Sequence, residues 1–587
     1  MPNVQQLLEK RVTAAIRAAF PGAADSPALV LPAQDPRFGD YQANGVMGLA
    51  KRLGANPREV AGRVVEQLKE DAEVAEMAEA PEIAGPGFIN FRLRPEWIAE
   101  QLGAVNRVEP DGEDRLGVEP AADPETVVVD YSAPNLAKEM HVGHLRSTII
   151  GDALVRMLKF AGHSCLRQNH VGDWGTQFGM LVAYIERKNL IQPVAGRPGR
   201  FVVAKALDDL EALYREARQL FDINEEFARE ARETVVRLQN GDPRTLQIWD
   251  EFVAISIGHC RKVYERLGVL LTDAHVRGES AYNALLPEII KVLRVKGLLT
   301  DSEGARCVFL DDEEGNPLFA SKDGPPLPLI VQKSDEGYLY ATTDLAAIAF
   351  RAGYFPELPD GSKSPRADRI LYVVDARQSL HFQMVFAVAR AADFAPPDVA
   401  LEHVAFGTMM GPDGKPFKTR EGGTVKLMDL LNQAEERAFT LVGEKSPELS
   451  ETERREIARI VGIGAVKYGD LAQNRSSDYR FDWDQMLSLA GNTAPYMQYA
   501  YARVRSIFRT GGHEAEARHR DDSALRLEAP EELALGKMLL RFPETLDRAL
   551  EDYRPNILAA YLYDLAQTFT SFYEACPVLK SPEPVRA

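Results

Sequence analysis

The chain reads as an α/β protein organised on a doubly wound parallel sheet of the Rossmann-like kind, with an α/β N-terminal domain before it and an all-α domain after it. Three observations carry that reading. From about 113 to 455, short β-branched runs alternate with helical periodicity, the pattern of parallel strands joined by crossover helices. Within that span, residues 126–160 run a strand into a helix through a short loop. From about 456 onward strand signals stop and only helical patterns remain.

Taken in order, residues 1–112 form the first domain. Helical patterns cover 4–20 and 57–68, and the apolar run 83–93, broken at Gly85-Pro86-Gly87, predicts paired strands. Residues 110–124, rich in Asp, Glu, Pro and Gly, form a linker. The second domain, 113–455, has strand candidates at 126–132, 165–169, 338–341, 369–374 and 401–406. Ligands in such sheets gather beyond the carboxyl ends of the strands. The segment 200–267 breaks the alternation: it is long, charged and helical, with i,i+4 charge pairs that predict a solvated helical insertion. The third domain, 456–587, carries helices at 457–468, 484–490, 494–509, 530–552 and 555–574.

Composition narrows the function classes. With 45% hydrophobic and 27% charged residues the chain is expected to be globular. No run of apolar residues is long enough for a membrane span, and the N-terminal helix pattern lacks the apolar core of a signal peptide. Four scattered cysteines with no CxxC pair suit a reducing cytoplasm and argue against structural zinc. The net charge of −18 disfavours bulk nucleic-acid binding, so a nucleic-acid partner needs a local basic surface.

Chemistry concentrates in three runs. Between the strand and helix of 126–160 lies His141-Val142-Gly143-His144. A small-residue turn there aims backbone N–H groups and the positive helix end at one spot, which suits a phosphate. Two histidines three apart are expected on one helix face, where they can hydrogen-bond a polyphosphate, cap the helix or bind a metal. No Cys or His at ligand spacing supports the metal. The run 407–423 is rich in glycine and proline and places Lys415, Lys418 and Arg420 on one loop, either as a basic surface loop or to stabilise a departing anion. In the third domain Tyr496, Tyr499 and Arg503 share a helix face, which serves a core or stacks unpaired bases.

Ser132-Ala133-Pro134-Asn135, followed by His141-x-Gly143-His144-Leu145-Arg146-Ser147, resembles the nucleotide-binding motif of class I aminoacyl-tRNA synthetases, and in detail that of the arginyl-tRNA synthetases. The resemblance implies a class I HxGH catalytic domain that takes ATP, with Mg²⁺, and L-arginine as substrates, and tRNA as partner. It implies ATP contacts from His141, Gly143 and His144. The 407–423 run is similar to a degenerate second class I motif, with Lys415, Lys418 and Arg420 on pyrophosphate, and Lys138 ahead of HVGH compensating for a missing lysine.

Tyr338-Leu339-Tyr340-Ala341-Thr342-Thr343-Asp344 resembles the family's arginine-pocket motif. By that resemblance Tyr340 and Asp344 clasp the side chain, Asp130 and Asn135 meet the α-amino and carboxylate groups, and Gln378 lies near the pocket. Asp344 read by itself also suits a helix N-terminus. Phe38-Gly39-Asp40-Tyr41-Gln42 and Gly87-Phe88-Ile89-Asn90 resemble the family's N-terminal domain, which contacts the tRNA elbow, and 492–503 resembles the start of its anticodon-binding helices. After Cys576 the family continues with further helices, so the last ones are expected to be lacking here. A monomer with no resident metal site completes the expectation.

Overall fold

The structure, a computed structural model, describes residues 3–23, 25–105, 114–194, 201–203, 210–321, 324–334, 337–411, 413–415, 417, 425–512 and 525–579. It divides into two compact units. One is Asp123–Lys159 with His163–Leu487; the other combines Met1–Ala122, Phe160–Gly162 and Ser488–Ala587.

The larger unit is built on four strands: β1 (Thr126–Asp130), β2 (Ser164–Gln168), β3 (Arg369–Tyr372) and β4 (Ala400–His403). They lie in the order β4-β3-β1-β2, all parallel, with Val127 opposite both Cys165 and Arg369. Val127, Val128 and Val129 are buried, as successive residues must be when both faces of a parallel sheet are covered. Helix α1 (Gly143–Phe160) crosses from β1 to β2, and α3 (Ser379–Ala391) crosses from β3 to β4. Between those crossovers runs α2 (Tyr340–Arg351), whose Leu345, Ala346, Ile348 and Ala349 enter a core with Ile289, Ile370 and Val385. The chain leaves β1 toward β2 on one side and returns to β3 on the other. The crevice above β1 and β3 is therefore the switch point where an open α/β sheet binds its ligands.

Several sequence expectations change. Residues 338–341 do not form a strand: Tyr338 sits in an isolated bridge with Gln332, and α2 begins at Tyr340. Aromatic and β-branched residues satisfy either state locally, and the apolar period at 341, 345 and 348 decides for helix. The neighbouring strand is Leu329–Gln332, in an antiparallel three-stranded sheet with Ala305–Val308 and Leu299–Ser302. The insertion contains a hairpin, Ile191–Pro193 with Phe201–Val203, before the helices Leu210–Ile223, Glu225–Gln239 and Pro243–Leu267. Those helices are amphipathic rather than solvated all round, since Phe227, Ala231, Leu238, Ile248 and Phe252 are buried. Strand pairing does persist beyond 456, where Tyr479–Arg480 pairs in parallel with Met409–Met410. The helix expected at 530–552 is two, Pro530–Leu540 and Phe542–Glu551, because Pro543 cannot continue the first.

In the smaller unit a four-stranded antiparallel sheet orders Val30–Pro32, Tyr41–Ala43, Phe88–Phe91 and Glu82–Ala84. Gly39 turns into it at φ +91°, and a Cβ there would sit 2.4 Å from the Phe91 carbonyl oxygen, so only glycine fits. The C-terminal helices complete this unit's core. Leu540 joins its apolar cluster, and the buried Tyr41 hydroxyl donates to Glu544 at 2.8 Å. Arg541 Nε holds the other Glu544 oxygen at 2.9 Å.

Candidate active site

The loop leaving β1 turns sharply. Ser132 and Ala133 both take left-handed backbone conformations, at φ +71° and +43°. Such conformations are strained in residues with a Cβ and persist where surroundings over-determine them. Asn135 then closes a small turn, its Oδ1 accepting the Ala137 N–H at 2.9 Å.

The histidine pair follows. The helix starts at Gly143, so His141 precedes it, yet the two rings still lie 4.0 Å apart between centroids. The His141 N–H donates to His144 Nδ1 at 3.1 Å, and the Gly143 N–H donates to His141 Nδ1 at 3.0 Å. Each Nδ1 is thus an acceptor, and each neutral ring carries its proton on Nε2. Burial, aided by the neighbouring His141, pushes the His144 imidazole down to about 3. His144 is therefore a neutral donor. A Cβ at Gly143 would meet the His141 ring at 2.8 Å, which explains the glycine between them.

The second loop is tied to this helix at both ends. Val142 N–H donates to the Val425 carbonyl at 3.0 Å and Leu427 N–H to the Met140 carbonyl at 2.9 Å. At the other end the guanidinium of Arg146 is buried, with Nη1 donating to the Gly407 carbonyl at 2.6 Å and Nε 3.1 Å from an Asp470 oxygen. Gly407 N–H bonds the Arg475 carbonyl and Thr408 N–H the Asp478 carboxylate, at 2.8 and 2.6 Å. Lys415 is exposed on the described part of the loop; Lys418 and Arg420 lie outside the described residues. Lys138 is also exposed, its ammonium 4.5 Å above the Tyr214 ring of the insertion.

A second group of side chains is acidic. Tyr340 and Asp344 occupy the first turns of α2, and both lean on His381: Asp344 Oδ2 is 2.7 Å from His381 Nε2, and the Tyr340 ring centroid lies 4.8 Å from that of the imidazole. Glu279 faces the same region. Burial first, then the charges of Asp344 and Asp173, push its carboxyl up to about 8. Asp173 is itself raised by burial, although it accepts the Ser280 N–H and hydroxyl at 2.9 and 2.6 Å. Asp130, at the end of β1, is buried against Arg351 Nη2 at 2.8 Å. Gln378 is exposed at the start of α3. Tyr496, Tyr499 and Arg503 belong to the smaller unit, where Arg503 Nη2 donates to the Tyr499 hydroxyl at 2.7 Å and Tyr496 lies 5.6 Å from Tyr563. Among the described residues no group of His, Cys, Asp and Glu forms a metal cluster, and no helix is long and apolar enough to cross a membrane.

Sequence reading missed Glu279, Asp173, His381 and the Arg146–Asp470 pair. Arg146 stands inside the motif that ends at Ser147, and His381 lies three residues after Gln378; Glu279, Asp173 and Asp470 stand near no stretch singled out above.

Comparison with known proteins gives a consistent picture. Residues 113–483 match the family described as tRNA synthetases class I (R), catalytic domain. Residues 6–93 match the arginyl-tRNA synthetase N-terminal domain and 497–587 the DALR anticodon-binding domain. An arginine–tRNA ligase of Hahella chejuensis is 53% identical over 100% of this chain and 95% of its own length; one of Chromobacterium violaceum is 52% identical over the same shares. Among solved structures, arginyl-tRNA synthetase from Plasmodium falciparum superposes with a TM-score of 0.78 at 29% identity, covering 99% of this chain and 94% of that one. The Thermus thermophilus arginyl-tRNA synthetase gives 0.77 at 25% identity, covering 99% and 95%.

Proposed function

The chain belongs to the arginyl-tRNA synthetase family and is an aminoacyl-tRNA ligase that joins arginine to tRNA with ATP, and from that premise we propose how its residues divide the reaction. The arginine carboxylate attacks the α-phosphate of ATP, pyrophosphate leaves, and the terminal ribose hydroxyl of tRNA then attacks the arginyl-adenylate. No side chain acts as nucleophile, so positioning and electrostatics carry the rate.

His141 and His144 offer Nε2–H donors to the ATP phosphates, a role supported by the backbone N–H groups that occupy both Nδ1 atoms. Gly143 keeps that edge open. Lys138, Lys415, Lys418 and Arg420 supply positive charge for pyrophosphate. Mg²⁺ enters with the ATP polyphosphate as part of the substrate and neutralises its charge. Tyr340, Asp344 and Glu279 take the guanidinium, Asp130 and Asn135 the α-amino and carboxylate end, and Gln378 the rim. Residues 1–112 meet the body of the tRNA, while Tyr496, Tyr499 and Arg503 meet its anticodon end. The protein works as a cytoplasmic monomer.

The observation that carries this division is the placement of Asp344 and Asp173 close enough to Glu279 for their charges to raise its carboxyl, in the unit whose switch point also holds the HVGH turn. A guanidinium presents a planar fork of donors and suits such acceptors. The test is aminoacylation of total tRNA with labelled arginine and ATP. His144→Ala should lower kcat by about 10², the size of losing one preorganised donor. Tight tRNA binding with no charging would instead mark a non-catalytic RNA-binding protein.

The pocket predicts a pH dependence. With its carboxyl at about 8, Glu279 is protonated in the empty site at neutral pH, whereas a bound guanidinium favours the carboxylate. Arginine binding therefore expels a proton. The KM for arginine should fall as pH rises from 6 toward 8, by up to about tenfold per unit, and level off above. Kinetics across that range would check it, with Glu279→Gln expected to flatten the profile.

A further inference from the structure

The helical insertion delivers one hydroxyl into the strained turn. Tyr264 sits near the end of the helix Pro243–Leu267 and is 4% exposed. Its hydroxyl lies 2.8 Å from Ser132 Oγ and accepts from Asn169 Nδ2 at 3.0 Å. Asn169 Oδ1 in turn accepts the Ala133 N–H at 3.0 Å, and the Ser132 N–H donates to Ser147 Oγ at 2.9 Å. Thr148 Oγ1 is 2.9 Å from Ser132 Oγ and 2.7 Å from the His144 carbonyl. A hydroxyl has one proton. Thr148 Oγ1 shares its proton between the Ser132 hydroxyl and the His144 carbonyl, and the Ser132 and Tyr264 hydroxyls are joined by the next hydrogen bond. One ordered chain then runs from Asn169 through Tyr264, Ser132 and Thr148 to the backbone of His144. Ser132, Ser147, Thr148 and Asn169 are all buried, so water does not substitute for a missing member.

We propose that Tyr264 is a positioning residue for adenylate formation: its hydroxyl holds the Ser132–Ala133 turn in its left-handed conformation and thereby fixes the loop to Asn135 and the backbone of His144. This rests on the reading of that loop as the substrate site. It assigns the insertion a task in the reaction, carried by a single atom at the end of its last helix. A phenylalanine would fill the same space but leave Asn169 Nδ2 and Ser132 Oγ without their partner, and the turn would relax toward negative φ.

The experiment uses the full chain. Tyr264→Phe should lower kcat for arginine-dependent charging about tenfold, the worth of one buried hydrogen bond, with KM for tRNA changed less than about twofold. Adding Ala133→Gly, which removes the penalty on positive φ, should bring kcat back to within about threefold of the wild type. A generic packing defect would not be rescued by glycine at that position. Wild-type kcat in Tyr264→Phe overturns the proposal, and so does a loss that Ala133→Gly leaves untouched. Should Tyr264→Phe prove insoluble, Ser132→Ala breaks the same link from the other side and is held to the same two outcomes. A wild-type chain that fails to charge arginine would overturn the functional reading itself, which the variants alone would not.

Discussion

Asp344→Asn is expected to lower kcat/KM for arginine by about three orders of magnitude and to erode the preference for arginine over lysine. Breaking one partner of a largely buried charge pair costs ~3–5 kcal/mol, roughly two to four decades in a rate or binding constant. Asparagine keeps the shape of the side chain, but its amide turns a donor toward a guanidinium that has only donors. The effect should be concentrated on the amino acid, because Asp344 is bound to His381 and lies near Glu279. The measurement is steady-state charging, with tRNA present throughout, using arginine and lysine in competition. An unchanged preference would remove Asp344 from the pocket and leave open a ligase with another amino acid. A carboxylate-lined pocket also explains how selection can rest on initial binding, because lysine leaves acceptors unpaired that arginine satisfies.

The second large effect is expected at Arg146. Its guanidinium and the Asp470 carboxylate are both shut away from water, and the same guanidinium serves the carbonyls of Gly407 and Ser477 at 2.6 and 3.2 Å. The rings of Tyr479 and Phe406 flank it, 5.0 and 5.8 Å from the guanidinium carbon. Arg146→Met leaves a buried carboxylate, already pushed up by its burial, without its counter-charge. The expected loss is ~3–5 kcal/mol of unfolding free energy, read as a shift of the urea midpoint at constant slope. Adding Asp470→Leu removes the stranded charge and should return much of that loss, as apolar replacements of whole buried pairs do. A single variant as stable as the wild type, or a double variant no better than the single, would show that the pair does not bear this load. Gly407 lies two residues before the strand Met409–Met410, which leads into the lysine-bearing loop. The single variant should therefore also slow pyrophosphate exchange while leaving KM for arginine near its original value.

How far the sequence alone reaches follows the range of the interactions. The strand, turn and helix of 126–160 were legible because their signals are local: β-branched residues, then small residues, then a 3.6-residue period. The helix N-terminus near Asp344 is legible for the same reason, although 338–341 itself reads as a strand. Glu279 was not legible, since nothing near it in the chain marks it. It joins the site because a short 3₁₀ turn packs beside Val171, more than a hundred residues away in sequence. The Arg146–Asp470 pair spans a still longer separation, |i−j| of 324, and either residue alone reads as a surface charge. Tyr264 lies in the segment 200–267, which reads only as a charged helical insertion. Its importance lies in one hydroxyl, and only the fold says where that points.

The smaller unit has a consequence for how the chain comes into being. It is discontinuous: its sheet comes from residues 30–91, while Leu540, Arg541 and Glu544 are made only after the whole of the intervening larger unit. During synthesis the N-terminal module leaves the ribosome with the apolar face that meets Leu540 open and the Tyr41 hydroxyl unpartnered. At ~5–20 residues per second that interval is on the order of half a minute, long enough for the intervening larger unit to fold first. Proteolysis of stalled nascent chains is therefore expected to cut within the N-terminal module until the segment carrying Glu544 has been made.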